Sequence, residues 1–210
     1  EVYFSTRWKE MLGYSVGEIQ NNLNEWKERV HPEDLANTLK DAGDYLSKKT
    51  PIYQNVHRLR HKYGYYIWIL DRGQAIWNAQ GKPIRMVGTH TDLTQLKKVE
   101  EELKELNRDF IAMLENTSDF IYLKDRNSRI RFCSQTVAKI TGHQSWRDMV
   151  GKHDLEIFPQ DVAKIYYDEE FSIFKEGKAL LEKIDPYYDA QGNLGWVHTN
   201  KWPIFDDNGV

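Results

Sequence analysis

The chain predicts an α+β fold in which two copies of one sheet-and-helix module are joined by a long amphipathic helix. Three observations predict it. A set of landmarks recurs at a nearly constant offset, strand-like runs separated by glycine turns close the copies, and apolar residues spaced by threes and fours fill the segment between them.

The repeat rests on landmarks of different kinds in one order. Gly64, Trp68, Trp77 and Gly81 recur as Gly192, Trp196, Phe205 and Gly209, each 128 residues later, and Phe4 recurs as Phe132 at the same offset. Pro32 and Asp34 recur as Pro159 and Asp161 at an offset of 127. "WKEMLGYS" aligns with "TVAKITGHQ", which carries one extra residue. Chance does not align so many features in register.

In chain order, "EVYF" and "RIRF" read as short strands, each followed by a short helix ending at Gly13 or Gly142. Ser15 with Glu18, and Ser145 with Asp148, have capping-box spacing for the next helical turn. Pro32 in "HPEDL" and Pro159 in "FPQDV" suit the first position of a helix with acids in its first turn. Long strands over residues 52–60, 65–77 and 84–91 close the first copy, reversing at "HKYGY" and "NAQGK". The matching turns of the second copy are "DAQGN" and "DDNG". In the middle strand Tyr66, Trp68 and Leu70 face one way, Ile67 and Ile69 the other. A sheet with one wet face alternates apolar and polar residues. This strand therefore predicts a sheet covered on both faces, by the module's own helices on one and by a further helix or a partner subunit on the other.

Between the copies, Leu96, Val99, Leu103, Leu106, Phe110 and Met113 form an a/d seam. Asp92 can cap this helix with Gln95 three residues on, and lysines and glutamates surround the seam. Only about three heptads fit, so pairing between chains and a helix laid on its own sheet both stay open. Either arrangement makes a stiff connector.

Composition excludes several classes. A formal charge of −3 leaves no basic footprint for nucleic acid and no polybasic membrane patch. No recognition helix with a basic region is present. No apolar run is long enough to span a bilayer, and "EVYFSTRWKE" is not a secretory signal. A single cysteine excludes internal disulfides and fits a reducing, cytoplasmic setting. The motifs of serine hydrolases, zinc proteases, phosphate-binding loops and kinases are missing, so no catalytic residue is assigned.

The G-(x)3-W strand, the D-x-x-G turn and the following "GTHTDLTQLKKVEEEL" resemble the PAS domain family with its C-terminal PAC segment. The first copy, with "RVHPED" and "GYYIWILDRG", is similar to one subfamily. The second, with "GKHDLEIFPQDVAKIYYDEE" and "KWPIFDDNG", is similar to the subfamily carrying a D-x-x-x-F-P segment. The resemblance covers nearly the whole chain. It implies five-stranded antiparallel sheets of order 2-1-5-4-3 with short helices on one face. The domains would span residues 1–94 and 116–210, with a helical linker at 95–115. The first strand of copy one and the last of copy two are missing from this pattern, so a longer chain or a neighbouring molecule is expected to supply them.

The same resemblance implies the sensory region of a bacterial-type signalling protein. Such a region binds a small molecule or partner, dimerises through its linker or sheet face, and relays conformational change to an effector outside this chain, usually a histidine kinase or diguanylate cyclase. The family's D-I-T triplet reads Asp92-Leu93-Thr94 here, making Asp92 and Thr94 candidate relay residues. An acid at that junction can cap the helix and pair with a base on a neighbouring strand, and a plain cap is the competing reading.

A PAS ligand lies between the sheet and the helices. In copy two Phe120, Tyr122, Phe132, Ile157, Tyr166, Trp196 and His198 could line that pocket, with Tyr166 and His198 as polar handles. Trp26, Tyr53, Trp68 and Trp77 are the analogues in copy one. Simple core filling by these rings is the alternative. A ligand-free dimerisation and spacer module is the rival function, and a haem or flavin sensor a more remote one. No cofactor is required by the sequence. Cys133 sits beside the strand residue Phe132 rather than in the N-C-R-F-L-Q helix of flavin-adduct sensors, and reads as a small buried residue. His57 and His61 lie on a strand and turn, His31 and His153 at helix starts where capping is expected, so no metal ligand is assigned; His153 is the nearest to a haem candidate.

Overall fold

The computed structural model describes residues 1–205, and the chain divides into two compact units that meet between Lys104 and Glu105. The expected turn at residues 206–209, with its Gly209 landmark, lies outside the described residues.

Unit 1 begins with three helices: α1 (Thr6–Met11), α2 (Leu23–Lys27) and α3 (Pro32–Leu46). Each start is fixed locally by a side chain that accepts an otherwise orphaned amide: Ser5 from Trp8, Asn22 from Asn24 and Glu25, His31 from Glu33. Pro32 occupies the first turn of α3 as expected. α1 closes toward Gly13, whose φ of +79° is open to glycine at little cost. Three antiparallel strands follow, β1 (Tyr53–Arg60), β2 (Tyr66–Trp77) and β3 (Pro83–Asp92), in the order β1-β2-β3. Leu12, Leu59 and Ile69 are wholly buried where the helices meet this sheet, with Trp8, Ile19, Trp26, Val30 and Ile67 around them. Each such side chain contributes about 1.5–3 kcal/mol of burial.

From Thr94 to Asn116 the chain forms the helix α4, whose first half belongs to unit 1 and second half to unit 2. Unit 2 then contains β4 (Tyr122–Lys124), β5 (Ile130–Cys133), α5 (Gln135–Ile140), a 3₁₀ turn at Trp146–Met149, α6 (Asp154–Ile157), α7 (Gln160–Glu176), β6 (Leu180–Tyr188) and β7 (Leu194–Lys201). Its apolar core gathers Ile130, Cys133, Val137, Ala138 and Met149. Ser145 and Asp148 make the expected capping box, and His153 caps α6 with Glu156 in the same manner.

The repeat holds down to single hydrogen bonds. The turn after β1 has His61 N–H on Tyr65 O and Gly64 N–H on His61 O. The turn after β6 has Asp189 N–H on Asn193 O and Gly192 N–H on Asp189 O, each residue 128 later. Strand register repeats too: Asn55 pairs with Asp71 and His57 with Ile69, as Lys183 pairs with Thr199 and Asp185 with Val197.

Three expectations are corrected. Residues 1–4 form no strand, since no described strand offers them a ladder, whereas Ile130–Cys133 pairs with β4. Pro159 is the cap residue before α7 and not its first helical residue. The five-stranded order is not what the described residues form: unit 1 has a three-stranded sheet and unit 2 two separate two-stranded ones. In the expected order a further strand separates β4 from β7, and without one they share no ladder.

Candidate functional site

Polar residues occupy the helix-facing side of the sheet in both units, where a pure packing surface would be apolar. In unit 1 most of them satisfy one another. Trp8 Nε1–H donates to His90 Nδ1 at 2.8 Å, so His90 carries its proton on Nε2, which faces Asp71 Oδ1 at 3.3 Å. Tyr53 donates to the other Asp71 oxygen at 2.8 Å. Burial works to raise the Asp71 carboxyl, but the bonds from His90 and Tyr53 outweigh it and hold the group below the usual carboxylate range. His57 is wholly buried, with Nδ1 3.0 Å from Asn55 Oδ1 and Nε2 without a partner. Burial, with His90 beside it, pulls His57 down to about 4.

Unit 2 holds a partly open cavity of about 110 Å³ lined by β4, β5, α5, α6, α7, β6 and β7. Phe120, Tyr122, Phe158 and Tyr166 supply rings, and Lys124, Asp154 and Asp185 supply charge. Lys124 Nζ lies 2.5 Å from both Asp154 Oδ2 and Glu170 Oε1, and all three side chains are more than nine-tenths buried. Beside them Glu169 meets Lys201 at 2.7 Å and also Lys183, which reaches Asp185 Oδ1 at 3.3 Å. Burial lowers Lys201 to about 8.

The junction between β3 and α4 is tied to β2. Leu93 N–H donates to Trp68 O at 2.8 Å, and Trp68 N–H donates to Thr94 Oγ1 at 3.0 Å. Asp92 Oδ1 accepts from Thr94 N–H at 2.7 Å, so it caps the first turn of α4 and bonds to that amide rather than to a base on a neighbouring strand.

The cavity brings together Phe120, Tyr122, Tyr166 and His198. His198 reaches its rim from the exposed side of β7, while Trp196 is 64% exposed on that same side. Phe132 turns toward α4, with its ring 4.8 Å from Phe110, and Ile157 packs into the neighbouring apolar core. In unit 1 the four analogues separate. Trp26 joins the main core, Tyr53 and Trp77 a second cluster around Tyr45, and Trp68 lies on the outer face under Arg58 and Lys97. Both repeat tryptophans thus point away from the helices, because Ile67 and Ile69, or Val197 and Thr199, take the inner positions of their strands.

Along α4 the seam residues Leu96, Val99, Leu103, Leu106 and Met113 are 48–67% exposed. Phe110 packs on Phe132, and Leu114 rather than Met113 is buried at the helix end. The expected roles of His31 and His153 as caps match their bonds to Glu33 and Leu155 amides. Cys133 is buried, and burial pushes its thiol up to about 11, away from reactive thiolate chemistry.

Sequence reasoning missed Lys124, Asp154, Glu170 and Asp185. One signal was available for Asp185: it stands 128 residues after His57, at the equivalent position of the equivalent strand.

Comparison with known proteins places these features in a family. A family described as "PAS fold" matches residues 1–90, and one described as "PAS domain" matches residues 108–177. The y4lL protein of Sinorhizobium fredii is 27% identical over 211 residues, spanning 97% of this chain and 24% of that protein. Hybrid signal transduction histidine kinase A of Dictyostelium discoideum is 29% identical over 87 residues, 40% of this chain and 4% of the kinase. The chain therefore corresponds to a quarter or less of the length of these relatives. A solved sensory box histidine kinase/response regulator from Burkholderia thailandensis is 33% identical, covering 51% of this chain and 79% of that one with a TM-score of 0.46. No described helix is long and apolar enough to cross a membrane. With one PAS match over residues 1–90 and a second over residues 108–177, the chain belongs to the PAS family.

Proposed function

We propose that this chain is the tandem sensory region of a cytoplasmic, bacterial-type signal-transduction protein. Its PAS domains span residues 1–94 and 116–210, with 95–115 as the connector. Unit 2 takes a small ligand in its cavity, Asp92 and Thr94 serve as relay residues, and the effector, a histidine kinase or diguanylate cyclase, lies outside these residues. Catalysis belongs to that effector. A longer chain or a neighbouring molecule supplies the strands that would complete each sheet to the order 2-1-5-4-3.

One observation carries the reading. β3 runs into α4 across the single residue Leu93, and Trp68 of β2 is bonded to both Leu93 and Thr94. A ligand that shifts the sheet must therefore move the first turn of α4 as well. Native mass spectrometry of the freshly purified protein tests it: the native mass is expected to exceed the denatured mass by one small molecule. A clean ligand-free dimer would instead support a spacer role.

The exposed stripe of α4 supports homodimerisation. Leu103→Glu combined with Leu106→Glu is expected to shift the protein toward monomer in sedimentation velocity, by tenfold or more in dissociation constant. Unchanged association would move the interface to a sheet face.

A further inference from the structure

We propose that the unit 2 cavity binds a compact organic monocation, a protonated amine or quaternary ammonium, held between aromatic rings and the carboxylates of Asp154 and Asp185. This deepens the sensory reading above and rests on it.

Charge is out of balance around the cavity. Asp154, Glu169, Glu170 and Asp185 face three ammonium groups, those of Lys124, Lys183 and Lys201. The lysines are committed: Lys124 lies between Asp154 and Glu170, and Lys183 and Lys201 converge on Glu169. Part of the excess falls on the cavity wall. Asp185 Oδ1 has only the 3.3 Å approach of Lys183, Asp185 Oδ2 has no partner, and Asp154 Oδ1 has none. Asp154 and Asp185 are 0% and 1% exposed, so bulk water does not solvate those oxygens. Burial, opposed by Lys124 and aided by Glu170, pushes the Asp154 carboxyl up.

The rest of the wall suits an organic cation. Lys124 and Lys201 already sit 5.0 and 5.1 Å from the ring centroids of Tyr122 and Tyr166, and Phe120 and Phe158 stand edge-on to Tyr187 and Tyr166. Aromatic faces attract ammonium groups in desolvated sites. At about 110 Å³ the space suits a few-carbon amine and is too small for a nucleotide or a tetrapyrrole. Among the described residues no cluster of three or more His, Cys, Asp or Glu is arranged for a metal ion. An anion would add to the excess charge. Unit 1 carries other partners on the same surface: His57 stands where Asp185 stands, and Asp71, replaced by Thr199 in unit 2, has donors from His90 and Tyr53.

The test is calorimetric titration of the whole chain at neutral pH with choline, with butylammonium, and with the uncharged isostere of choline that has carbon in place of nitrogen. Saturable binding of at least one cation is expected, with the isostere tenfold or more weaker than choline if choline is the cation bound. Asp185→Asn is expected to weaken the cation tenfold or more while raising the denaturation midpoint of the ligand-free protein, because it removes an uncompensated charge. Asp154→Asn, the second variant, is expected to weaken binding similarly. Failure of both cations to bind, equal binding of choline and its isostere, or unchanged affinity in Asp185→Asn would overturn the proposal. So would a lowered ligand-free midpoint in Asp185→Asn, since that is the mark of a purely structural partner for Lys183. A neutral or anionic molecule in the native mass would overturn the cation alone and leave the sensory reading standing.

Discussion

Lys124→Met is expected to destabilise unit 2 by about 3–5 kcal/mol. The ammonium is 8% exposed and lies 2.5 Å from two carboxylates that are 0% and 7% exposed. Methionine fills a similar volume, so little of the loss comes from packing. What remains is Asp154 and Glu170 buried side by side, and each already has one oxygen without a hydrogen bond. They must then take up a proton or draw in water. Hydrogen exchange of the α7 and β4 amides reads unit 2 alone, which matters because two units do not share one unfolding transition. Two controls separate charge from volume. Adding Asp154→Asn and Glu170→Gln to Lys124→Met is expected to recover much of the loss. Lys62→Met, which removes the exposed partner of Glu18, is expected to leave exchange unchanged. If Lys124→Met is also silent, the triad carries no folding energy.

That triad also marks where the sequence stops being readable. Lys124, Asp154 and Glu170 are separated by 30 and 16 residues and sit on three elements, so no spacing rule connects them. Charged residues are mostly exposed, and a reader of the sequence leaves them on the surface. The ends of elements were legible because their causes are local: Ser5, Asn22, Ser134 and Ser145 each cap within three residues. The hairpins were legible because the Gly64 and Gly192 turns repeat. Strand faces were not. β2 has apolar side chains on both sides, so a period of two cannot say which side the helices cover. Choosing the tryptophans as inner residues misplaced Trp68 and Trp196. Had the 128-residue register been carried one step further, from landmarks to every inner position, Asp185 would have stood out as the counterpart of a buried histidine.

Acidification is expected to move the two units in opposite directions. A solvated histidine titrates near 6.5, and burial pulls His57 in unit 1 down to about 4. Between those values the unfolded chain holds the extra proton, so stability rises with pH and is lost as pH falls through the window. At about 1.4 kcal/mol per unit, the full interval amounts to roughly 3 kcal/mol. The cause is geometric: the ring is wholly buried, Asn55 Oδ1 accepts from its Nδ1–H, and no acceptor is placed at Nε2. Protonation would put a cation there beside His90. Asp71 does not cancel the effect, since it is committed to His90 and Tyr53 and, held below 3.8, stays charged until the pH is lower. In unit 2 the sign reverses. Asp154 is raised above 3.8, so its native form holds the proton that the unfolded chain releases, and unit 2 gains as pH falls through that range. Exchange protection of β2 amides is therefore expected to fall between pH 6.5 and 4.5 while that of α7 holds or rises. His57→Gln should flatten the first response and leave the second. Parallel loss in both units, or an unaltered slope in His57→Gln, would mean that the buried ring is not the acid-sensitive group.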